Sequence, residues 1–327
     1  MRILGVDGGQ SSTRCLAVDE DGRILGYGTA GPSNHAQGEA GRRRLRSALR
    51  DSICQALASD TLESVDSIVL GMTGIGRTLG QPALVESFVR EFVLPRAIAV
   101  YNDLKIALMG ASVGEPGIVV YAGTGAHTFG VNERGDEVRV GGWGHIIDDE
   151  GAGYDLGRRA LQSVFRAEDG REPPTVLRAR LLTHFHCDSL SELRNRIYED
   201  QGLDRSEIAT LSKLVGEAAA EGDGVAEAIL QRAGETLAKT AVVALQKLEQ
   251  KGKPVVYYAG GVFRSGVLLD AFTWSLTSQT SDVDVHPPRF PPVVGAILLG
   301  FRLLGLEPGA PILEALAQGI SHIGWAS

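Results

Sequence analysis

The chain has 327 residues, enough for two domains that each have a core, and its 43% hydrophobic and 22% charged residues are typical of a globular protein. Its formal net charge of -8 argues against a nucleic-acid partner, which basic surfaces attract. No apolar run reaches the roughly 18 residues that a transmembrane helix needs. Three widely spaced cysteines, Cys15, Cys54 and Cys187, are typical of free thiols in a reducing compartment rather than of a disulfide framework or an iron–sulfur cluster. We therefore expect a cytoplasmic protein that binds neither nucleic acid nor membranes.

The first part of the chain alternates between apolar strands and amphipathic helices. Three short strands at 3–6, 14–19 and 23–28 are separated by a glycine-rich turn at Gly8-Gly9 and a tight turn at 20–22, which is the pattern of a meander. The elements predicted next are a helix at 41–58, a strand at 67–71, a helix at 83–93, a strand at 97–101 and a helix that begins at Asn102-Asp103. This alternation predicts a mostly parallel sheet with helices on both faces.

The second part repeats the same order of elements. Strands at 118–121, 127–132 and 137–140 again form a meander, and the glycine turn is now Gly123-Thr124-Gly125. The elements predicted after it are helices at 154–166, 175–185, 189–199 and 225–250, a strand at 254–259, a helix from 266, and last helices at 294–304 and 312–318. The repetition indicates duplication of one α/β module.

The segment Gly114-Glu115-Pro116-Gly117 is the best boundary between the two modules. We expect a first domain at 1–115 and a second domain at 116–300 that contains a helical insertion. The C-terminal tail at 301–327 is expected to pack back on the first domain.

Three glycine turns follow predicted strands, at Gly8-Gly9, Gly123–Gly125 and Gly260-Gly261. In open parallel sheets, ligands bind beyond the carboxyl ends of the strands, and glycine lets backbone N–H groups approach a phosphate closely. Neighbouring hydroxyls can add donors: Ser11, Ser12 and Thr124. Each turn alone is more typical of an ordinary hairpin. Together they predict phosphate binding without a Walker sequence or the Rossmann glycine spacing, both of which are absent from the sequence.

Three acidic residues are candidates for chemistry. Asp103 lies where a strand meets a helix, so it is either a general base for an attacking hydroxyl or part of the helix cap, and the residues alone favour the two equally. Asp149, in the turn at 149–151, either binds sugar hydroxyls or shapes a loop. Asp7 is a candidate ligand for hydrated Mg²⁺, which prefers few carboxylates and several waters.

Six motifs in this order resemble one known family. They are GVDGGQSST (5–13), GPSNH (31–35), ND (102–103), AGTGA (122–126), GGWGHIIDDEGAGYDLGRRAL (141–161) and AGGVFRS (259–265). The set, which covers nearly the whole chain, resembles the N-acetylglucosamine kinase branch of the BadF/BadG/BcrA/BcrD ATPase-like family, within the actin/hexokinase/Hsp70 superfold. The resemblance implies two duplicated ribonuclease H-like α/β domains around a central cleft for ATP and sugar. It further implies phosphoryl transfer from ATP, with Mg²⁺, to the 6-hydroxyl of N-acetylglucosamine or a close amino sugar, by a homodimer.

The resemblance also implies roles for single residues. Asp103 is implied as the catalytic base and as a contact of the sugar. The other implied sugar contacts are Asn34, Ala126, His127, Gly142, Trp143, Gly144 and Asp149. The positions that match an ATP lining are Ser11, Thr124, Gly216 and Gly261, to which the glycine turns add Gly8, Gly9, Ser12, Gly125 and Gly260.

The chain departs from the family pattern at Ala126 and Ala152, where the family often has serine. Each departure removes a hydroxyl near the expected ligands, and such a donor can decide which amino sugar is preferred. Glucosamine is therefore the alternative acceptor. Two further functions stay open: a BadF/BcrA-type ATPase that uses an iron–sulfur cluster, and a non-catalytic sugar sensor. Trp143 either contacts ligand or packs under the Asp149 loop.

Overall fold

The computed structural model describes residues 1–33, 38–59, 61–75, 81–199, 202–249, 252–280 and 282–325. The chain divides into two compact units: Met1–Glu115 together with Pro287–Ser327, and Pro116–His286. Within the ranges given above, no helix combines the length and the apolar character that crossing a membrane requires.

The first unit opens with a five-stranded mixed sheet of order β3-β2-β1-β4-β5. Its elements up to Ser112 are β1 (Ile3–Gly8), β2 (Thr13–Val18), β3 (Ile24–Ala30), α1 (Gly38–Leu57), β4 (Glu63–Met72), α2 (Gln81–Val89), β5 (Val93–Asn102) and α3 (Asp103–Ser112). The meander strands β1, β2 and β3 pair antiparallel, whereas β1 pairs parallel with β4 and β4 with β5. The carboxyl ends of β1, β4 and β5 therefore meet at one edge of the sheet.

The end of the second predicted helix was wrong. The sequence pattern predicted a helix through residue 93, but α2 ends at Val89 and β5 already begins at Val93. The physical reason is Pro95, because a proline disfavours helical backbone at the residue before it. β5 lies at the edge of the sheet, where a proline costs no ladder hydrogen bond on its open side.

The second unit contains a sheet of the same design, with the order β10-β9-β6-β7-β8. Its elements are β6 (Gly117–Ala122), β7 (Ala126–Val131), β8 (Glu137–Gly141), α4 (Gly153–Glu168), α5 (Leu177–Phe185), α6 (Leu190–Tyr198), α7 (Arg205–Thr210), α8 (Ser212–Ala220), α9 (Gly224–Leu248), β9 (Val255–Ala259), α10 (Gly266–Gln279) and β10 (Asp284–His286), with a short 3₁₀ helix at Gly261–Arg264. In both sheets the third, second, first, fourth and fifth strands of the unit lie side by side. This shared order confirms the predicted duplication of a ribonuclease H-like α/β module.

The sequence pattern did not predict α7, α8 or β10. The helices are short, with six and nine residues, so neither presents a long apolar period. A local signal did exist for α7: Asp204 and Glu207 form a capping box at its start, the arrangement that D-x-x-E favours. The three-residue β10 is an edge strand with no alternation to recognise.

Residues 287–300 belong to the first unit, whereas the sequence-based division had assigned them to the second domain. They include α11 (Pro292–Leu303), which packs on β1 and β4, and α12 (Ala310–His322) follows it. α11 is apolar nearly all round, so it is stable only when it is covered on several sides. α11 and α3 lie side by side on one face of the sheet, and α1 covers the opposite face. The carboxyl ends of β1 and β5 therefore belong to a three-layer unit.

Candidate functional site

The predicted site residues fall into two sets, one inside each unit, and each set is described separately. The first set lies at the carboxyl ends of β1, β4 and β5. The second set lies at the turn between β6 and β7 and in the loop that follows β8. Asn34, which the sequence predicts as a sugar contact, lies outside the described residues.

The helix cap at the start of α3 is formed by Asn102 and not by Asp103. The side-chain oxygen of Asn102 accepts from the Leu104 N–H at 3.0 Å, and its amide nitrogen donates to the Ile75 carbonyl at 2.9 Å. Asp103 Oδ1 also accepts from the Leu104 N–H, at 3.1 Å. Because Asn102 already accepts from the Leu104 N–H, the cap does not depend on the Asp103 carboxylate.

Thr73 holds the second oxygen of the Asp103 carboxylate. Its hydroxyl donates to Asp103 Oδ2 at 2.7 Å, and its N–H donates to the Gly8 carbonyl at 2.9 Å. Thr73 directly follows β4, so it ties the ends of β1 and β5 together. The sequence reasoning missed this residue, because only the parallel register of β1, β4 and β5 brings it beside Asp103.

Asp7 lies near the end of β1 and interacts electrostatically with Asp103. Burial and the neighbouring Asp103 carboxylate raise the pKa of Asp7 from its ordinary 3.8 to about 7, and the cross-strand neighbour Arg14 opposes this rise. A protonated carboxyl and a carboxylate that binds a cation are the two forms that relieve this repulsion. Carboxylate oxygen is the ligand type that Mg²⁺ prefers, and one or two carboxylates suffice when waters and phosphates supply the rest.

We expect Asp7→Asn to stabilise the protein at pH 8 and not at pH 4. The folded state keeps a proton on Asp7 between about pH 4 and pH 7, where the unfolded chain has lost it, so wild-type stability falls as the pH rises through this window. Asparagine does not titrate. The full difference between the folded and unfolded pKa corresponds to about 4 kcal/mol of unfolding free energy. Because Asp7 is partly exposed and solvent screens its charge, the expected change is about 1–3 kcal/mol. Urea unfolding of both proteins across this range measures the difference.

Arg14→Gln is the companion variant for that measurement. Removing the opposing cation raises the pKa of Asp7 further, so the loss of stability with pH should extend above pH 7. If wild type, Asp7→Asn and Arg14→Gln gave parallel stability profiles, Asp7 would not be the group that titrates.

The glycine turn after β1 is a tight hairpin. Gly9 N–H donates to the Ser12 carbonyl at 2.9 Å, and Gly8 is the last residue of β1. The Ser11 residue is exposed and Ser12 is half-buried. Ser33 N–H donates to the Gly9 carbonyl at 3.3 Å, so the beginning of the GPSNH motif lies beside this turn.

In the second unit, the turn between β6 and β7 packs on the start of α4. Gly123 N–H donates to the Gly125 carbonyl at 2.9 Å and closes the turn. The Gly153 N–H donates to the Gly123 carbonyl at 2.8 Å, and the Tyr154 N–H donates to the Thr124 carbonyl at 3.3 Å. The N-terminal turn of a 16-residue helix thus lies directly behind the predicted phosphate turn.

Asp149 is buried and forms an ion pair with Arg205. Its side chain is 1% exposed, and its Oδ2 accepts from Arg205 Nη2 at 2.6 Å. Its other oxygen, Oδ1, is buried and has no hydrogen-bond partner among the described residues. Arg205 also lies against Gly125, because a side chain added at Gly125 would collide with it. Asp149 therefore lies beside the Gly123–Gly125 turn, and one of its two acceptor atoms has no partner among the described residues.

Sequence reasoning missed Arg205. The capping box of α7 marks the start of a helix at this position, but it carries no information about the charge pair. The two residues are 56 positions apart, so only the tertiary structure brings them together. Arg205 and Asp149 also act on His145, whose pKa is lowered by burial and by Arg205, while Asp149 opposes the shift.

His127 and Gly142 are in contact. His127 in β7 pairs with Gly141 of β8, and an added Cβ at Gly142 would lie 1.8 Å from His127 Nδ1. The Trp143 N–H donates to Asp148 Oδ2 at 3.0 Å, but the indole is 67% exposed. Trp143 therefore does not pack under the Asp149 loop. Ala126 is buried as the first residue of β7, and Gly144 follows Trp143 in the same loop.

We expect Gly142→Ala to destabilise the protein more than Gly135→Ala. Both glycines have positive φ, at 71° and 81°, so each substitution carries a similar backbone cost of about 1–2 kcal/mol. Only the methyl group at 142 collides with a neighbour, because nothing lies within 4 Å of the corresponding position at Gly135. Displacing the His127 ring from its rotamer should add about 1 kcal/mol. Denaturant midpoints measure the difference, and equal midpoints would show that the His127 contact does not constrain this loop.

The remaining predicted glycines lie near β9 and in α8. Gly260 follows β9 with a φ of 104°, and its backbone lies against Ala122 at the end of β6. Gly261 begins the 3₁₀ helix, and Gly216 lies in α8 with open space around its Cα. Since β6 and β9 are parallel neighbours, Gly260 and the Gly123–Gly125 turn share one edge of the sheet.

Comparison with known proteins identifies relatives over most of the chain. It is 32% identical over 301 residues to an N-acetylmuramic acid/N-acetylglucosamine kinase of Clostridium acetobutylicum, a match that covers 91% of this chain and 97% of the relative. It is 31% identical over 316 residues to an N-acetyl-D-glucosamine kinase of Dictyostelium discoideum, with 92% and 98% covered. A crystal structure of a candidate N-acetylglucosamine kinase from Chromobacterium violaceum matches with a TM-score of 0.72 at 27% identity, covering 91% of this chain and 98% of the other.

The family comparison agrees with the motifs. The model of the BadF/BadG/BcrA/BcrD ATPase family matches residues 4–300, which span both sheets, both glycine turns of the meanders, Asp103 and the Asp149 loop. The chain therefore belongs to the BadF/BadG/BcrA/BcrD ATPase family.

Proposed function

We propose that the protein is an ATP-dependent sugar kinase that phosphorylates the 6-hydroxyl of N-acetylglucosamine or a close amino sugar. Two relatives above 30% identity are kinases of N-acetylated amino sugars. The observation that carries the proposal is the Asp103 carboxylate, which Asn102 relieves of capping and Thr73 orients.

Asp103 is proposed as the general base. Its Oδ2 would accept the proton of the sugar 6-hydroxyl, while the sugar oxygen attacks the γ-phosphorus and the bond to the ADP oxygen breaks. Because phosphoryl transfer depends mainly on positioning, a carboxylate held by a 2.7 Å hydrogen bond from Thr73 is well suited to orient the nucleophile.

Backbone donors of the glycine turns are proposed to hold the phosphates, with Ser11, Ser12 and Thr124 adding hydroxyls. The roles proposed for Gly8, Gly9, Gly125, Gly216, Gly260 and Gly261 are those that their positions in the motifs imply. Asp7 is proposed to bind Mg²⁺ through water, which fits a half-buried carboxylate that repels Asp103. Mg²⁺, when bound, neutralises charge on the phosphates.

The sugar is proposed to contact the second set of residues. The free Oδ1 of Asp149 is a buried acceptor that a sugar hydroxyl would satisfy. His127, which lies against Gly142, and the exposed Trp143 are proposed to supply a polar and an apolar contact of the same set. Ala126, Gly142 and Gly144 are proposed contacts because of their positions in the motifs. The His127 ring takes the space at Gly142, whereas nothing lies within 4 Å of the Cβ position at Gly144. Asn34 completes the proposed set.

A panel of acceptors tests the proposal. ADP release should be measured with N-acetylglucosamine, N-acetylmuramic acid, glucosamine, N-acetylmannosamine and glucose, each with ATP and Mg²⁺. We expect the highest kcat/KM with an N-acetylated sugar, and phosphorus NMR should place the new phosphate on the 6-oxygen. No turnover with any of these sugars would overturn the proposal, and the homodimer that we propose is tested by light scattering of the same sample.

The same panel separates the alternatives. Glucosamine as the preferred acceptor would be consistent with the loss of hydroxyls at Ala126 and Ala152. An energy-coupling ATPase would release ADP without sugar and would need cysteine ligands for its cluster. Here Cys15 and Cys187 are buried and Cys54 is half-buried, and burial raises the pKa of the Cys15 and Cys187 thiols. Buried thiols of raised pKa are poor metal ligands, so we favour the kinase.

A further inference from the structure

The second unit contains a cavity that none of the proposed kinase residues lines. Its volume is about 470 Å³, and it lies between α4, the segment 172–174 and the first turns of α9. This volume is within the range of about 300–1,000 Å³ that small-molecule sites occupy. Three arginines line it: Arg159 and Arg166 from α4, and Arg232 from α9.

The arginines differ in how they are neutralised. Arg159 Nε donates to Asp155 Oδ2 at 2.9 Å, and Arg166 Nη1 donates to Glu172 Oε1 at 2.9 Å. For Arg232, no carboxylate lies within ion-pairing distance among the residues that the structure describes. Its side chain is exposed to the cavity and to solvent. The cavity wall therefore carries an excess of positive charge in a chain whose net charge is -8.

The Glu172 carboxylate accepts a hydrogen bond from Arg166 Nη1 at 2.9 Å, which holds it against α4. The hydrogen bonds from Arg166 and from the Ser163 hydroxyl lower the pKa of Glu172. One nitrogen of Arg166 donates to Glu172, and the planar guanidinium carries five N–H donors in all. Donors of Arg166 and Arg232 are thus available together with the side chain of Gln162, which also lines the cavity.

We propose that this cavity binds a phosphate monoester of a small polar molecule. The forked guanidinium groups match the oxygens of a phosphate, which two arginines can hold at once. Arg159 is 20% exposed and is paired with the buried Asp155, whereas Arg166 is 43% exposed and keeps donors beyond its pair with Glu172. Arg232 is therefore the first phosphate ligand and Arg166 the second. One part of the wall is apolar, formed by Pro173, Pro174 and Ile229, and the cavity is larger than a phosphate alone needs. The carbon skeleton of a monoester fills that space.

Calorimetry with two probes tests the proposal on the full chain. Glycerol 3-phosphate is the monoester and inorganic phosphate is the free anion, while glycerol serves as the uncharged control. We expect saturable binding of glycerol 3-phosphate that is tighter than binding of inorganic phosphate, and none of glycerol. Equal affinity for the two anions would assign the cavity to free phosphate and overturn the monoester assignment.

Three variants locate the binding. Arg232→Gln should weaken the affinity for glycerol 3-phosphate at least about tenfold, as the loss of a charge-assisted hydrogen bond does. Arg166→Gln should weaken it as well. Arg134→Gln, on the turn between β7 and β8, removes an exposed arginine that does not line the cavity and should leave the affinity unchanged. Unfolding temperatures confirm that each variant is folded. Wild-type affinity in both Arg232→Gln and Arg166→Gln, or no saturable binding at millimolar concentrations, would overturn the proposal.

Discussion

Asp103→Asn should lower the turnover of the kinase by about 10²–10⁴-fold, the contribution typical of a general base. Asparagine keeps the size and the hydrogen-bonding oxygen of the side chain but cannot accept the proton of the sugar hydroxyl. The affinity for the sugar should therefore change little. Steady-state kinetics with the preferred acceptor and equilibrium binding of that sugar measure the two effects separately.

Asn102→Ala is the matched control, because Asn102 caps α3 and the adjacent Asp103 is the proposed base. It removes the helix cap and the hydrogen bond to the Ile75 carbonyl, and should cost about 1–2 kcal/mol of stability. Its turnover should stay within about tenfold of wild type, whereas Asp103→Asn should keep its stability within about 0.5 kcal/mol. Normal turnover in a folded Asp103→Asn protein would contradict the assignment of Asp103 as the general base.

Arg205→Met should lower the stability of the protein by about 3–5 kcal/mol. The Asp149 side chain is 1% exposed and that of Arg205 is 19% exposed, so the substitution leaves a carboxylate buried without its counter-charge. For a unit of this size, the loss corresponds to a decrease in Tm of about 10 °C. The affinity for the sugar should decrease too, since Arg205 positions the proposed sugar ligand. Thermal unfolding and sugar binding measure both.

Arg196→Met controls for the loss of a surface arginine in the same unit. Arg196 lies 4.0 Å from Glu207, and the two side chains are 56% and 45% exposed. Such a pair contributes less than about 1 kcal/mol, so the Tm should hardly change. Combining Arg205→Met with Asp149→Asn should recover part of the stability, because no buried charge then remains. If Arg205→Met were as stable as Arg196→Met, the buried ion pair would not support the loop.

The strands and turns of both meanders could be predicted from the sequence, because they depend on neighbouring residues. A strand of four to six apolar residues followed by a glycine turn is recognisable wherever it occurs. The same local pattern identified the duplication and placed Asp103 at the junction of β5 and α3. It did not settle whether Asp103 caps the helix, since Asn102 and Asp103 are both good capping residues.

The boundary of the first unit depended on packing between distant segments. The apolar pattern predicted a helix at 294–304, but it could not show which sheet the helix covers. In the structure α11 lies on β1 and β4, so residues from the two ends of the chain form one core. An apolar helix is compatible with any apolar surface. Which sheet it covers depends on how well the two surfaces fit and on where the connecting segments of the chain allow the helix to lie.

The motifs alone identified the candidate carboxylates, Asp7 and Asp103 in the first unit and Asp149 in the second, because each stands in a recognisable turn or junction. Their partners were decided by the tertiary structure. Thr73 reaches Asp103 only through the parallel register of three strands, and Arg205 reaches Asp149 from a short helix 56 residues further along the chain. Local sequence determines backbone geometry through steric limits and hydrogen bonds between near neighbours. The charge of a buried carboxylate is balanced instead by whichever side chain the folded chain brings within reach.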